Sequence, residues 1–159
     1  DEVGLSLLTE ASSDAAVVAR WRSKIVTVPG SGCRWWTGAI SGHRRTFWFA
    51  PGRVVIAHRF AFAMAHGVPE LAGVAVLGHR CDNPLCQRVG PGHVVASSHV
   101  ENRREWAIRK ALTGSPLGDP RGSRRRAREL RDLARADPAL VAADLARLTA
   151  LYGEQLPLW

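Results

Sequence analysis

Apolar positions near the N-terminus recur at the spacing of an α-helix. They are Val17, Val18, Trp21 and Ile25, which share one helical face. Asp14 can cap this helix, whereas residues 1–13 are acidic and small and do not continue the pattern. We therefore predict one packing helix, from Asp14 to about Ile25, within an N-terminal segment of residues 1–28.

Residues 29–112 are predicted to form a domain of the α+β class. After a break rich in Pro and Gly, three stretches of β-branched and aromatic residues are separated by Gly-containing turns, which predicts a small antiparallel β-meander. The stretches are residues 34–40, 46–50 and 53–57. A helical pattern from His58 to His66 follows, and Gly67 marks its end.

The second half of this domain has the pattern of a ββα unit. Residues 74–78 predict a short buried strand, and residues 93–96 predict a second strand after a long loop rich in Cys and Pro. Ser98 and Glu101 can form a capping box for a helix that reaches about Leu112.

A basic helical hairpin is predicted at the C-terminus, in residues 123–159. A linker rich in Gly, Ser and Pro, residues 113–122, precedes it, and Asp137 can cap its second helix. That second helix carries an apolar stripe of Leu140, Leu145, Leu148, Leu151 and Tyr152. The first helix carries Arg124, Arg125, Arg126, Arg128, Arg131 and Arg135.

The narrow apolar stripe of the hairpin would be exposed to solvent unless it packs against another surface. We expect it to dock on the domain or on a second copy of the chain, which would form a homodimer through the C-terminal helices. In both cases the arginine face is expected to remain free, and a chain that ends near Gly114 is expected to fold.

The positive net charge of the chain makes nucleic acid a candidate partner. The chain of 159 residues has 22 Lys and Arg against 14 Asp and Glu, a net charge of +8, and nearly all its basic residues are Arg. The guanidinium fork suits a phosphate backbone, although many small basic proteins bind no polyanion.

No segment has the character of a membrane span or a signal peptide. The longest apolar run, from Leu71 to Leu77, is too short to cross a bilayer, and the N-terminal residues lack a basic segment followed by an apolar one. We therefore expect a soluble, cytoplasmic protein with no membrane partner.

The three cysteines cannot all pair with one another within one chain. Cys81 and Cys86 lie near histidines, which favours a metal site, and Cys33 lies upstream. The predicted set is Cys33, Cys81, Cys86 and His93, a donor set typical of a closed, tetrahedral structural zinc site. The alternatives are that the cysteines are small buried residues, or that Cys33 forms an intermolecular disulfide.

Two further residues of this region, His79 and Asn102, are candidates for a proton acceptor and a metal ligand. His79 would end the first strand and Asn102 would lie in the first turn of the following helix, so the two can face each other across one cleft. A neutral imidazole can accept a proton from water, and an amide oxygen suits Mg²⁺. Taken singly, each residue is better explained as a core histidine or a helix-surface residue.

The segment from about Cys33 to Arg109 resembles the HNH (ββα-metal) endonucleases of phages and actinobacteria, and the related His-Cys box homing endonucleases. The matched positions are Cys33, Trp36, Thr37 and Gly38, then Ala57, His58 and Arg59, then His79 through Cys86, and finally His93. The resemblance covers about half of the chain. It implies a ββα-metal nuclease core that cleaves double-stranded DNA.

This resemblance also implies a role for each matched residue. His79 resembles the general base, Asn102 the ligand of a catalytic Mg²⁺ or similar divalent cation, and Arg45 the arginine that contacts the cleaved phosphate. The four zinc ligands predicted above match the structural zinc set. Arg44 is a rival to Arg45, because His43 and Arg44 replace the Tyr-Gly that usually precedes the arginine.

Two other departures from the family pattern leave alternatives open. The loop before His93 is two residues longer than usual, which makes His99 a substitute zinc ligand. Gly78 stands where many relatives have a second metal ligand. The rival functions are a zinc-built DNA-binding module without cleavage and a zinc-stapled domain that binds protein.

Several other side chains are candidates for contacts with DNA or for the core. The arginines predicted to contact DNA are Arg44, Arg53, Arg103, Arg104, Arg124, Arg125 and Arg128. Trp35, Trp36 and Trp48 could stack on bases, but core positions are the stronger expectation. His58 is expected to pack and to form hydrogen bonds beneath the meander.

Overall fold

Short antiparallel strands alternate with helices in the computed structural model, which describes residues 1–112 and 114–153. The helices are α1 (Glu2–Ser13), α2 (Ala15–Arg22), α3 (Ala57–His66), α4 (Val68–Gly73), α5 (His99–Lys110), α6 (Gly122–Ala136) and α7 (Pro138–Gly153). The strands are β1 (Ile25–Thr27), β2 (Arg34–Trp36), β3 (Ile40–Ser41), β4 (Arg44–Ala50), β5 (Arg53–Ile56), β6 (Val76–His79) and β7 (Val94–Ser97). The predicted α+β class is confirmed. Within the described ranges, no helix combines the length and the apolar character that a bilayer crossing requires.

The N-terminal segment contains two helices, so the prediction of a single helix is wrong. Asp14 caps α2 as expected, because its carboxylate accepts a hydrogen bond from the Val17 amide at 2.8 Å. The preceding residues form α1, which Asp1 caps through the Gly4 amide at 3.2 Å. Ile25 lies in β1 rather than in a helix.

The predicted meander is confirmed for β3, β4 and β5, which form one antiparallel sheet in that order. The first predicted stretch, residues 34–40, is divided between two sheets. Its beginning is β2, which pairs with β1 in the register Ile25↔Trp36. Trp36 is fully buried and meets Phe47 of β4 edge to face, with ring centroids 6.2 Å apart. This contact joins the two sheets in one core.

β6 and β7 form an antiparallel pair that places the end of β6 beside α5. Their register runs from Val76↔Ser97 to His79↔Val94. The Ser98 hydroxyl accepts a hydrogen bond from the Glu101 amide at 3.1 Å and caps α5 as predicted. The Glu101 carboxylate accepts from the Ser97 hydroxyl at 3.1 Å, so Ser97 takes part in fixing the first turn of the helix.

The C-terminal hairpin packs on the domain mainly through α6. Ala127, Leu130 and Ala134 are buried in the same core cluster as the tryptophans of β2. Among the described side chains of α7, Val141 is buried, whereas the predicted stripe residue Leu140 is 47% exposed. Leu145 of the stripe packs against the core. The side chains of Leu148, Leu151 and Tyr152 lie outside the described residues.

Partly buried ion pairs connect the segment before the hairpin to the hairpin. Arg121 forms ion pairs with Asp119 at 2.6 Å, Glu129 at 3.1 Å and Asp144 at 3.2 Å. Arg121 also holds the pKa of Asp119 below its ordinary value. The predicted linker thus contains a 3-10 turn, Pro116–Gly118, and takes part in a partly buried ion-pair network.

Arg126 was expected on a free basic face, and the structure contradicts this expectation. Its side chain is 6% exposed, with Nε 3.5 Å from Asp119. Nη1 donates to the carbonyl of Asp82, at 3.4 Å. Since α6 buries both apolar and charged side chains against the domain, a chain that ends near Gly114 would lose these contacts, and its folding stays a prediction.

The buried face of α6 gives a stability prediction. Leu130→Ala should lower the free energy of unfolding by about 2–5 kcal/mol, because it opens a cavity in a filled core. Leu140→Ala is the matched control in α7 and should cost roughly 0.5 kcal/mol or less, as surface substitutions usually do. Urea unfolding of both variants checks this, and equal losses would mean that α6 is not the docking helix.

Candidate metal centre and active-site cleft

Two segments, the residue before β2 and the loop between β6 and β7, bring the four predicted zinc ligands together. Cys33 precedes β2, Cys81 and Cys86 lie in the loop after β6, and His93 comes directly before β7. Their ligand atoms all lie within 4.8 Å of one another. The loop reaches Cys33 because it pairs with β2: the Trp36 amide donates to the Leu85 carbonyl at 2.9 Å, and the Gln87 amide donates to the Arg34 carbonyl at 2.8 Å.

The separation of the donor atoms fits a tetrahedral metal. Nδ1 of His93 lies 3.6 Å from Sγ of Cys33 and 3.6 Å from Sγ of Cys86. In a tetrahedral zinc site with Zn–S of about 2.3 Å and Zn–N of about 2.0–2.1 Å, the S–N edge is about 3.5–3.6 Å. These distances agree with the conclusion that the cluster could hold a metal such as zinc.

The electrostatics of the thiols also favour a cation. Hydrogen bonds from the Cys81 and Cys86 thiols lower the pKa of Cys33. The hydrogen bond to Cys33 raises the pKa of Cys81 to about 11, and those to Cys33 and Cys81 raise the pKa of Cys86. One thiolate is stabilised and further thiolates are opposed, so a bound cation is needed to hold three thiolates together.

His99, the alternative ligand, is not part of the cluster. It is exposed at the first position of α5, and His93 supplies the nitrogen donor. The longer loop before His93 is accommodated by turns, in which the His93 amide donates to the Gly90 carbonyl at 3.1 Å and the Gly90 amide donates to the Val94 carbonyl at 3.0 Å.

Two residues that shape this loop, Asn83 and Asp82, were not predicted to do so. The Asn83 side-chain oxygen accepts a hydrogen bond from the Leu85 amide at 3.0 Å, and the Asn83 carbonyl accepts from the Cys86 amide at 3.0 Å. Asp82, with φ of 53°, has the left-handed conformation that Asp and Asn tolerate. Its carboxylate accepts from Arg109 Nε at 2.8 Å, which ties α5 to the loop. The Asx-turn preference of Asn before Pro was the available signal for the first of these.

His79 and Asn102 line the same cleft, as predicted. The cleft has a volume of about 550 Å³, and Trp106, Arg109 and Arg126 contribute to its walls. Asn102 Oδ1 lies over Gly78, where a Cβ atom would come within 2.9 Å of it. Gly78 therefore leaves room for the Asn102 side chain in the position that the structure gives it.

The orientation of His79 is set by the loop that carries Cys81, Cys86 and His93 (residues 80–93, the metal loop). Its Nε2 lies 3.1 Å from the carbonyl oxygen of Cys86, which can only accept, so Nε2 carries the proton of the neutral ring. Nδ1 is then the basic nitrogen. Burial, followed by the positive charge of Arg45, lowers the pKa of His79 to about 4, so the ring is neutral at pH 7.

His58 packs against His79, as the expectation of a packing histidine requires. The two rings meet edge to face with centroids 4.7 Å apart. The expected hydrogen bonding of His58 is not complete, because its Nδ1 is buried without a partner among the described residues. Burial first, and then the charges of His79 and Arg45, hold the pKa of His58 well below its ordinary value.

Of the two rival arginines, Arg45 is the one beside these histidines. It is half-buried on β4, where Nη1 donates to the His43 carbonyl at 2.7 Å and Nε lacks an acceptor among the described residues. Burial lowers the pKa of Arg45 to about 10, so it stays charged at pH 7. Arg44 is exposed on the neighbouring position of the strand.

The seven arginines predicted to contact DNA differ in their partners. Arg53 forms an ion pair with Asp1 at 2.8 Å, and Arg125 forms one with Glu129 at 2.6 Å. Arg124 and Arg128 lie against the β3–β4 turn, at 3.5 Å from His43 Nε2 and from the Gly42 carbonyl. Within the described ranges, Arg44, Arg103 and Arg104 are exposed and form no ion pair.

Removal of single ligands tests the metal centre. Freshly purified protein should contain about one zinc per chain. His93→Ala should lose the metal and the cooperativity of thermal unfolding, because binding free energy at a structural site is largely folding free energy. His99→Ala is the matched control and should keep both. Elemental analysis with calorimetry measures this, and full zinc content in His93→Ala would refute the ligand set.

No family model matches this chain, and no curated protein or solved structure does either. The observations that bear on function are thus the cluster of Cys33, Cys81, Cys86 and His93 and the cleft that contains His79 and Asn102.

Proposed function

We propose that this chain is a zinc-stabilised, divalent-metal-dependent DNA endonuclease with an HNH (ββα-metal) core formed by β6, β7 and α5. The observation that carries the proposal is the position of His79 in one cleft with Asn102, with its Nε2 proton held by the Cys86 carbonyl. The reaction is hydrolysis of a phosphodiester bond, which the HNH resemblance implies.

In this proposal His79 is the general base. A neutral imidazole whose Nε2–H is held by a carbonyl presents Nδ1 to accept a proton from water. The lowered pKa keeps the ring in the basic form at pH 7, and the contact with His58 limits its rotation. Since Cys86 is also a zinc ligand in this proposal, the structural metal positions the base without touching the substrate.

Asn102 would hold the catalytic divalent cation, Mg²⁺ or a similar ion, through its amide oxygen. Mg²⁺ often keeps several waters and binds phosphate oxygens, so one amide ligand from the protein fits such a site. When bound, the cation supplies Lewis-acid stabilisation of negative charge on the phosphate. Asp82 also lines the cleft, but its carboxylate is engaged by Arg109 at 2.8 Å.

Arg45 would provide fixed positive charge for the phosphate. Its guanidinium is held in place by the His43 carbonyl, and its charge already acts on His79. A buried, preorganised cation stabilises developing negative charge more than a hydrated one does. The exposed arginines on β4, α5 and α6, among them Arg44, Arg103 and Arg128, would contact the phosphates of double-stranded DNA on either side.

A second candidate function is a zinc-built DNA-binding module without cleavage activity. Gly78 favours it, because this position carries no metal ligand, and so does the ion pair that occupies Asp82. The zinc cluster and the exposed arginines serve this function equally well. A DNA-cleavage assay distinguishes the two functions, whereas a DNA-binding assay does not.

Substitutions in the cleft test the proposed reaction. His79→Ala and Asn102→Ala should each retain zinc and DNA binding, while Mg²⁺-dependent nicking of plasmid DNA falls by orders of magnitude, about 10²–10⁴-fold for loss of a base. His99→Ala is the matched histidine control and should cleave normally. Nicking by His79→Ala at the unaltered rate would show that the base is another group. Binding without nicking by the unaltered protein would favour the second function.

Substitution of the two neighbouring arginines tests the role of Arg45. Arg45→Met keeps an apolar stem of similar length and should lower cleavage by about 10²-fold, as loss of one preorganised donor does. Arg44→Met, on the neighbouring position of the same strand, should change the rate much less. Cleavage rates at saturating DNA check this, with zinc content as the control for folding. The reverse order of effects would assign the phosphate contact to Arg44.

A further inference from the structure

A groove runs along the open edge of β4. β3 pairs with Arg44 and Arg45, and the Thr46 amide donates to the Ala39 carbonyl at 3.0 Å, so from Phe47 onward β4 has β5 on one side and this groove beside its other edge. The groove has a volume of about 900 Å³. Its lining shares no residue with the cleft that contains His79, which makes it a separate surface.

Trp48 is the exposed aromatic residue of this groove. Its side chain is 67% exposed, whereas Trp35 and Trp36 are buried as expected, so the expectation of a core position is wrong for Trp48 alone. The cause is strand alternation: Phe47 and Phe49 point into the core, and the residue between them points outward. Val54, its partner across the strand pair, is 48% exposed, so the indole has little cover.

The other side of the groove is cationic. Arg20 and Lys24 line it, and its lining contains no carboxylate among the described residues. The Arg20 guanidinium is fixed, because Nη2 donates to the Trp48 carbonyl at 2.8 Å and the group lies 5.4 Å from the Phe47 ring centroid. A fixed cation, a second cation and an exposed indole therefore occur within one groove.

We propose that this groove binds an unpaired strand of nucleic acid, with one base stacked on Trp48 and the adjoining phosphates near Arg20 and Lys24. Aromatic side chains beside a cationic groove are the combination that binds single strands without sequence preference, because every base has a π-face. A duplex keeps its bases stacked on one another and cannot offer a free face to the indole. The site is distinct from the proposed cleavage cleft, and its binding does not depend on the nuclease proposal.

Two other occupants of the groove are disfavoured. An added peptide strand would need the edge carbonyl of Trp48 as an acceptor, and Arg20 already occupies it. A second copy of this chain would bring another net charge of +8 to a cationic surface. A polyanion with aromatic groups can both pair with the cationic side chains and stack on the exposed indole.

Two oligonucleotides of equal length and charge, one with bases and one without, distinguish the contribution of base stacking from that of the phosphate charges. Binding of labelled oligothymidine and of an abasic oligonucleotide should be measured by fluorescence anisotropy in buffer without Mg²⁺. Trp48→Ala should weaken oligothymidine binding by about 5- to 150-fold, the usual contribution of one stacked base. The abasic strand should bind equally well before and after this change. Trp48→Phe, which keeps an aromatic ring, should retain most of the affinity.

Lys24→Ala provides the contrasting variant. It should weaken both strands alike and make their binding less sensitive to salt, by about 0.7 in the log–log slope for one lost phosphate contact. Zinc content and duplex cleavage should stay unchanged in Trp48→Ala, which separates this inference from the nuclease proposal. The inference would be overturned if Trp48→Ala lowered the affinity for both strands equally or lowered neither. It would also be overturned if polyglutamate of equal charge displaced oligothymidine from the groove.

Discussion

The backbone carbonyl of Cys86 connects the two parts of the candidate site. The side chain of this residue belongs to the Cys/His cluster, its backbone bridges to Trp35 of β2, and its carbonyl accepts a hydrogen bond from His79 Nε2. A residue fixed in three ways is a rigid reference point for the imidazole. Any change that separates this loop from the rest of the Cys/His cluster would therefore displace the His79 ring before it disturbs the cleft wall formed by α5.

The C-terminal hairpin strengthens the same region through a second set of contacts. Arg126 spans from Asp119 to the carbonyl of Asp82, and Asp82 in turn binds Arg109 of α5. Breaking a buried charge network by removing one partner is costly, because the remaining charge stays desolvated. The hairpin is therefore part of the support of the metal loop as well as a carrier of exposed arginines.

Features that depend on residues close together in the sequence could be predicted, whereas features that depend on packing between distant segments could not. Cys81, Cys86 and His93 were found because metal ligands in one loop leave a spacing that can be read directly, and Ser98 was found because a helix cap is local. The inward position of Val141 instead of Leu140 depends on how α7 meets α6, which periodicity within one helix does not determine. The burial of Arg126 had no local signal either, since its partners Asp82 and Asp119 come from other segments. Helix α1 was missed because its short polar residues obscured a face on which Leu8 and Ala11 are buried.

The spacing of the four candidate metal ligands has a consequence for the order of folding. Cys81, Cys86 and His93 belong to one loop, so bringing them together closes only short segments of chain and costs little conformational entropy. Cys33 is separated from them by the whole meander and by α3 and α4. In the proposed zinc site, these three local ligands would bind the ion first, before Cys33 completes the ligand set. The arrival of β2 with Cys33 would then close the shell and join the two halves of the core in one late, cooperative step.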